Sequence, residues 1–318
     1  MKKDTKINWN LIIRWAGTLL SIGILIYLFR QIGAEETWAA VQKISGRRIA
    51  EVLVLVFVSR LATWGRWHTL LQVQALRVRW QDSLRLTFAG LFASNVLPTT
   101  IGGDVVRLAG AVRLGIDAAL AAASLVADRL VGMTGMALAL PFAIPALSSY
   151  LKAQASSGAA QTTGAAALFP AFFRKIQQAI KKVFSNFRFW LKHPLILAQA
   201  LGFTFIHMLA TFLIVQILVQ GMGESISFTK TAGLWSLTYF ISLIPVSING
   251  LGLQELTITN LFSALGGLQP STSISLAVIL RVVWMIGSLP GAFFIGGILG
   301  GKRPSEAGGE KQNGNTQD

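Results

Sequence analysis

Long apolar runs separated by short basic gaps set the pattern of this chain. Leu11–Phe29, Ile49–Leu71, Ala118–Leu147, Leu195–Val219 and Ile274–Leu299 approach or exceed the roughly 20 residues that cross a bilayer as a helix. Leu86–Leu97, Ala232–Ile244 and Leu256–Leu265 are too short for a full crossing. The pattern predicts an all-α, polytopic membrane helix bundle, one multi-pass domain over 1–301. The polar, glycine-rich tail over 302–318 is predicted to be disordered. Leu11–Phe29 reads as the first membrane helix. It is too long for the apolar part of a signal peptide, and no small-x-small cleavage site follows.

The short runs flank two breaks. The first, Ser94 to Arg107, reads SNVLPTTIGGDVVR. Pro98 lacks the N–H that a continuing helix needs, and Gly102 and Gly103 let the backbone turn or approach a neighbour closely. Asp104 and Arg107 are charges that lipid penalises. Membrane proteins tolerate such interruptions where the freed backbone groups are buried in protein or line a wet cavity. The second break, PVSINGLGLQE over 245–255, follows the short run ending at Ile244. LPTTIGG (97–103) and IPVSING (244–250) share the order aliphatic–Pro–x–(Thr/Ser)–Ile–x–Gly. Paired interrupted segments in corresponding halves point to a transporter's binding site, so a pseudo-repeat of two broken or re-entrant motifs is expected.

Composition narrows the class. Only 13% of residues are charged and 53% are hydrophobic, too little charge to cover a soluble surface. The net charge of +15 comes from basic residues lying mostly in or beside the gaps between apolar runs. This is the positive-inside pattern and favours anionic headgroups; no nucleic-acid-reading motif is present, and none is expected as a partner. Both termini and the basic 148–192 region are expected on the cytoplasmic side, with six or eight crossings depending on how the short runs count. Residues 148–164 read as a flexible loop and 30–48 as a polar one. Residues 165–192 read as a basic amphipathic helix at an anionic interface or, alternatively, a soluble-side helix on its own loop. Cysteine is absent, and neither a metal nor a cofactor is expected.

Charges inside apolar runs are the candidate site. Asp128 and Arg129 are sequence neighbours on one helix, so each needs a partner elsewhere. Arg281 and Glu255 stand in the second half. Arg60 lies deep in its run, either as a snorkelling arginine or as a headgroup ligand. His207, alone among apolar residues, reads as a hydrogen-bonded packing residue. Gly287 and Gly291 suit helix packing within the chain or between subunits, leaving an oligomer open.

In order, Asn95, Leu97, Pro98, Gly103, Asp104 and Arg107, then Asp128-Arg129-Leu130, then Pro245, Ser247, Gly250, Gly252 and Glu255, then Arg281, form a set. This set resembles the transmembrane domain of lysylphosphatidylglycerol synthases, a flippase-like family also described as an uncharacterised membrane protein family. The resemblance covers nearly the whole chain. It implies a multi-pass protein of a bacterial-type inner membrane that translocates an anionic or aminoacylated phospholipid. These residues are the expected substrate site, where Arg107, Arg129 and Arg281 would bind a lipid phosphate through their bidentate donor forks. The chain departs from the family in carrying Asp104 where glutamate is usual. The tail leaves no room for an aminoacyl-transferase domain, so a transporter rather than an enzyme is expected. The alternatives are a membrane-embedded transferase acting on a lipid-linked donor and a non-transporting scaffold.

Overall fold

The computed structural model describes residues 34–72, 78–97, 102–156, 193–244 and 252–300. The first predicted membrane helix, the amphipathic 165–192 segment, the tail, and Pro98, Pro245, Ser247 and Gly250 lie outside the described residues. Those described form helices and no strands. In chain order the helices are α1 (Ala34–Gln42), α2 (Gly46–Leu71), α3 (Trp80–Val96), α4 (Gly102–Arg113), α5 (Ala118–Ala139), α6 (Ile144–Ser156), α7 (Pro194–Gly221), α8 (Phe228–Ser242), α9 (Leu253–Ala264), α10 (Pro270–Ile286) and α11 (Ala292–Gly300). Short 3₁₀ turns, Leu140–Ala143 and Leu289–Gly291, join α5 to α6 and α10 to α11.

Local chemistry sets the boundaries. Ser45, Asp117 and Ser227 cap α2, α5 and α8, each accepting from the backbone N–H three residues on. Pro194 and Pro270 open α7 and α10, where a missing N–H costs nothing. The run 118–147 is not one regular helix. Pro141 and Pro145 remove donors, and the backbone tightens into the 3₁₀ turn between them. Pro290 does the same at the end of α10. Three predicted boundaries move. The helix expected at Leu86 begins at Trp80, with Asp82 in its first turn and Arg85 on an exposed face. The 30–48 loop contains α1, whose Ala40 buries along with Ile44 just beyond it. Helix α6 continues to Ser156, into the segment read as loop.

Among the described residues, three stretches are long and apolar enough to cross a membrane: Ala118–Ala153, Pro194–Gly221 and Pro270–Gly296. Helix α2 packs along α7 in the most extensive helix–helix contact among the described residues. Arg48, near the start of α2, donates to the carbonyl of Gln220 at the end of α7 over 2.9 Å. Gly65, near the end of α2, lies against the Phe203 ring of the first half of α7. The pair is therefore antiparallel.

The two halves repeat. Counterpart helices measure 26 and 28 residues (α2, α7), 17 and 15 (α3, α8), 12 and 12 (α4, α9), and 22 and 17 (α5, α10), each set followed by its 3₁₀ turn. Ser59 and His207 are each fourteenth in their helices, counting from Gly46 and Pro194, and they touch: Ser59 Oγ lies 2.7 Å from His207 Nδ1. Equivalent residues meet only on a two-fold axis. Because α2 and α7 run antiparallel, that axis is perpendicular to both. This is an inverted-topology repeat.

Within each half the short helices form a hairpin. At 1.5 Å per residue, α3 and α4 are about 25 Å and 18 Å long, short of the roughly 30 Å hydrocarbon core. Glycines bring them together. A Cβ on Gly103 would overlap Ser94 Oγ and the Gly90 carbonyl, and one on Gly90 would sit 2.7 Å from Arg107 Cγ. Gly287 and Gly291 pack within the chain, against Val56 and against the backbone of Phe88.

This packing makes a contrast testable by thermal unfolding in detergent. Gly103→Ala is expected to cost about 1–3 kcal/mol, because the Gly90 carbonyl is backbone and cannot swing aside. Gly202→Ala, in an open helical position, is expected to be neutral or stabilising by up to about 1 kcal/mol.

Candidate functional site

The charges inside the bundle assemble into two clusters. In the first, five residues from three helices alternate in sign: Arg66, Asp128, Arg107, Asp104, Arg129. Arg66 Nε lies 2.6 Å from Asp128 Oδ1. Arg107 Nη1 and Nη2 reach Asp128 Oδ2 at 3.1 and 3.2 Å. Arg107 Nη1 also contacts Asp104 Oδ1 at 3.3 Å, and Arg129 Nε closes the series on Asp104 Oδ2 at 2.5 Å. Asp128 and Arg107 are buried, Asp104 is partly so and Arg129 is exposed. The series therefore runs from the buried interior to an exposed edge of the bundle. Three arginines against two aspartates leave one positive charge.

Small and aromatic residues make room for it. Gly132 lets Arg66 lie across α5, where a Cβ would come within 2.9 Å of Nη1. The Arg107 guanidinium stacks over Trp67 with its carbon 4.1 Å from the ring centre. Trp67 is fixed in turn by donating Nε1–H to Ser124 Oγ at 3.1 Å. Thr63, Met136, Thr204, His207 and Tyr239 complete a cavity of about 200 Å³ beside the series.

The second cluster belongs to the second half. Gly252, at φ +78°, turns the chain into α9, a backbone shape that favours glycine. Its N–H donates to Glu255 Oε2 at 2.8 Å, so the carboxylate caps its own helix. Glu255 Oε1 accepts from Arg281 Nε. Asn95 Nδ2 donates to Ser288 Oγ at 2.6 Å and ties α3 to the break after α10. A cavity of about 240 Å³ opens here, bordered by Arg60, Asn95, Gln254, Arg281 and Trp284. It shares Met136, His207 and Tyr239 with the first cavity, so the two adjoin.

The repeat extends to these charges. Asp104 and Glu255 are both third in their helices, α4 and α9. Arg129 and Arg281 are both twelfth, in α5 and α10. In each half the carboxylate opening the short helix holds the arginine of the next long one. The structure thus brings Asp104, Arg107, Asp128 and Arg129 together, with Asn95 and Arg281 at the adjoining cavity and Glu255 behind Arg281. Gly103 and Gly252 serve the backbone. Arg66, His207 and Tyr239 are absent from the sequence-derived set. Their signal was present for α2, where Ser59, Thr63 and Arg66 form a polar stripe at helical spacing in an apolar run.

Comparison with known proteins agrees with this architecture. The sequence profile described as the lysylphosphatidylglycerol synthase TM region matches residues 14–291. A UPF0104 membrane protein of Archaeoglobus fulgidus is 23% identical over 129 residues, 39% of this chain and 38% of that protein. The match thus covers well under two thirds of the relative's length.

Asp128 is the most demanding of these charges, since removing it strands Arg66 and leaves Arg107 only its 3.3 Å contact to Asp104. Asp128→Asn is expected to lower stability by about 3–5 kcal/mol, read from unfolding midpoints in detergent. Glu51→Gln, which breaks the exposed Arg47–Glu51 pair, is expected to change it by less than about 1 kcal/mol.

Proposed function

Because the chain belongs to the family of lysylphosphatidylglycerol synthase transmembrane regions, we propose that it is a flippase-type lipid transporter. In this reading it moves an anionic phospholipid or lipid-linked headgroup across a bacterial-type inner membrane, with both termini cytoplasmic. The observation that carries the reading is the pair of broken hairpins in inverted halves, each delivering a carboxylate and an arginine beside adjoining cavities. Discontinuous helices at an inverted-repeat interface are how many transporters build a site near mid-membrane.

The chemistry suits a phosphate-bearing headgroup. A bare anion in hydrocarbon is very costly, and fixed guanidinium groups substitute for the water it leaves. Arginine offers a planar fork of donors that matches phosphate oxygens. Asp104, Asp128 and Glu255 hold the arginines in register, so the site need not reorganise as the headgroup enters. Arg129, at the exposed end of its series, is placed to meet a headgroup first. Arg107, held between two aspartates, serves to keep the series together.

Translocation of fluorescent phosphatidylglycerol in proteoliposomes tests the reading. Arg107→Ala and Glu255→Gln are each expected to slow it at least about tenfold, the cost of one charged hydrogen bond. Wild-type rates in both variants would reject the site.

A further inference from the structure

We propose that the cavity between Arg60 and Arg281 is a binding site for a phosphate-type anion, with Arg60 its principal ligand. The inference deepens the transport reading and rests on it only in naming a lipid headgroup as the carrier. A free phosphate offers the same chemistry.

Arg60 differs from the other arginines of these clusters. Arg66, Arg107, Arg129 and Arg281 each hold a carboxylate, whereas among the described residues no carboxylate lies within ion-pair distance of Arg60. It is fifteenth of the 26 residues of α2, roughly 21 Å from the first and 17 Å from the last along the helix axis. Snorkelling serves arginines near helix ends, and this one is central. Its Nη2 donates to the Trp284 carbonyl at 2.9 Å and its guanidinium lies 4.6 Å over the Trp284 ring, while its Nε is buried without an acceptor. Arg281 spends Nε on Glu255 and leaves Nη2 buried without an acceptor.

Two cationic side chains lining one cavity thus each keep an unused buried donor. Arginine cannot escape the cost of such burial by losing its proton. An anion in the cavity between them would meet both guanidinium groups and offset that cost. The charges match: Arg60, Arg281 and Glu255 sum to +1, which a phosphodiester neutralises. The volume matches as well. About 240 Å³ is several times the roughly 30 Å³ that a water occupies, enough for a hydrated phosphate group. Asn95, His207 and Gln254 add neutral polar wall. In the 200 Å³ cavity next door Arg107 Nε is likewise buried without an acceptor, but all three arginines there already hold aspartates, whereas Arg60 holds none among the described residues.

Arg60 also caps the Trp284 carbonyl at the end of α10, so the variants must separate anion binding from packing. Arg60→Gln removes the charge and keeps an amide donor; Arg60→Lys keeps the charge and loses the fork. The full chain is placed in nanodiscs of equal phosphatidylglycerol and phosphatidylcholine, and retained lipid is counted by native mass spectrometry. Separately, the protein in detergent is titrated with inorganic phosphate. The wild type is expected to retain phosphatidylglycerol preferentially, Arg60→Gln to lose at least about tenfold in affinity, and Arg60→Lys to fall between. Arg47→Gln, on the exposed face, is expected to match the wild type.

Binding of inorganic phosphate without lipid preference, lost in Arg60→Gln, supports the anion site and assigns it to free phosphate. Unchanged binding in Arg60→Gln, or no binding of either probe by the wild type, overturns it. If Arg60→Gln fails to fold, Gln254→Leu carries the test: a fall of about fivefold supports the site and an unchanged affinity overturns it. Anion binding by a wild type that moves no lipid rejects the transport reading and leaves the site standing.

Discussion

A buried carboxylate that must hold two guanidinium groups at once constrains this bundle more than any apolar contact does. Asp128 on α5 receives Arg66 from α2 and Arg107 from α4, and none of the three is stable in an apolar interior alone. Their mutual need fixes the distance and rotation of three helices. It also explains the glycines around them. Gly132 and Gly90 are where the arginine side chains cross the faces of α5 and α3, and a methyl group at either position would displace a charge from its partner. Packing here follows electrostatics: the backbone is thinned so that the ion pairs can form.

Breaks in the helices answer a related constraint. Interrupting a helix frees backbone groups that lipid cannot satisfy. At the second break Glu255 takes the freed N–H of Gly252 with one oxygen and Arg281 with the other. One side chain thereby satisfies the backbone and fixes a buried cation. Its counterpart Asp104 holds Arg129 with one oxygen and Arg107 with the other, so the first half ties in a second arginine where the second half ties in backbone. The halves share a plan and differ in charge: Glu255 and Arg281 balance within the second half, while the first half supplies both the extra arginine of its own series and Arg60 at the neighbouring cavity.

Much of this was legible in the sequence. Apolar runs located the helices because each is long and rich in good helix formers. The breaks were legible because proline and paired glycines act locally, and the family match over 14–291 agrees with the order of residues around them. Helix α1 escaped because its burial is tertiary, supplied by packing against α10. The 3₁₀ turn at Leu140–Ala143 escaped because prolines near the end of an apolar run do not reveal whether the chain kinks or stops. Partners of the charges were illegible for a different reason. Arg66 and Asp128 are 62 residues apart, and only the fold brings them together. The role proposed for Arg60 depends on something sequence does not display, the absence of a neighbouring acid among the described residues.

The contact between Ser59 and His207 has one more consequence. It lies where the two halves of the chain cross, between positions that correspond to each other. If the halves trade shapes, as two similar units of opposite orientation can, every pair away from that point acquires a new geometry, while this pair is carried onto itself. The hydroxyl and the imidazole then form a fulcrum, the one place where motion of either half is felt as rotation without displacement. Both cavities share His207 as a wall, so the pivot also borders each of them.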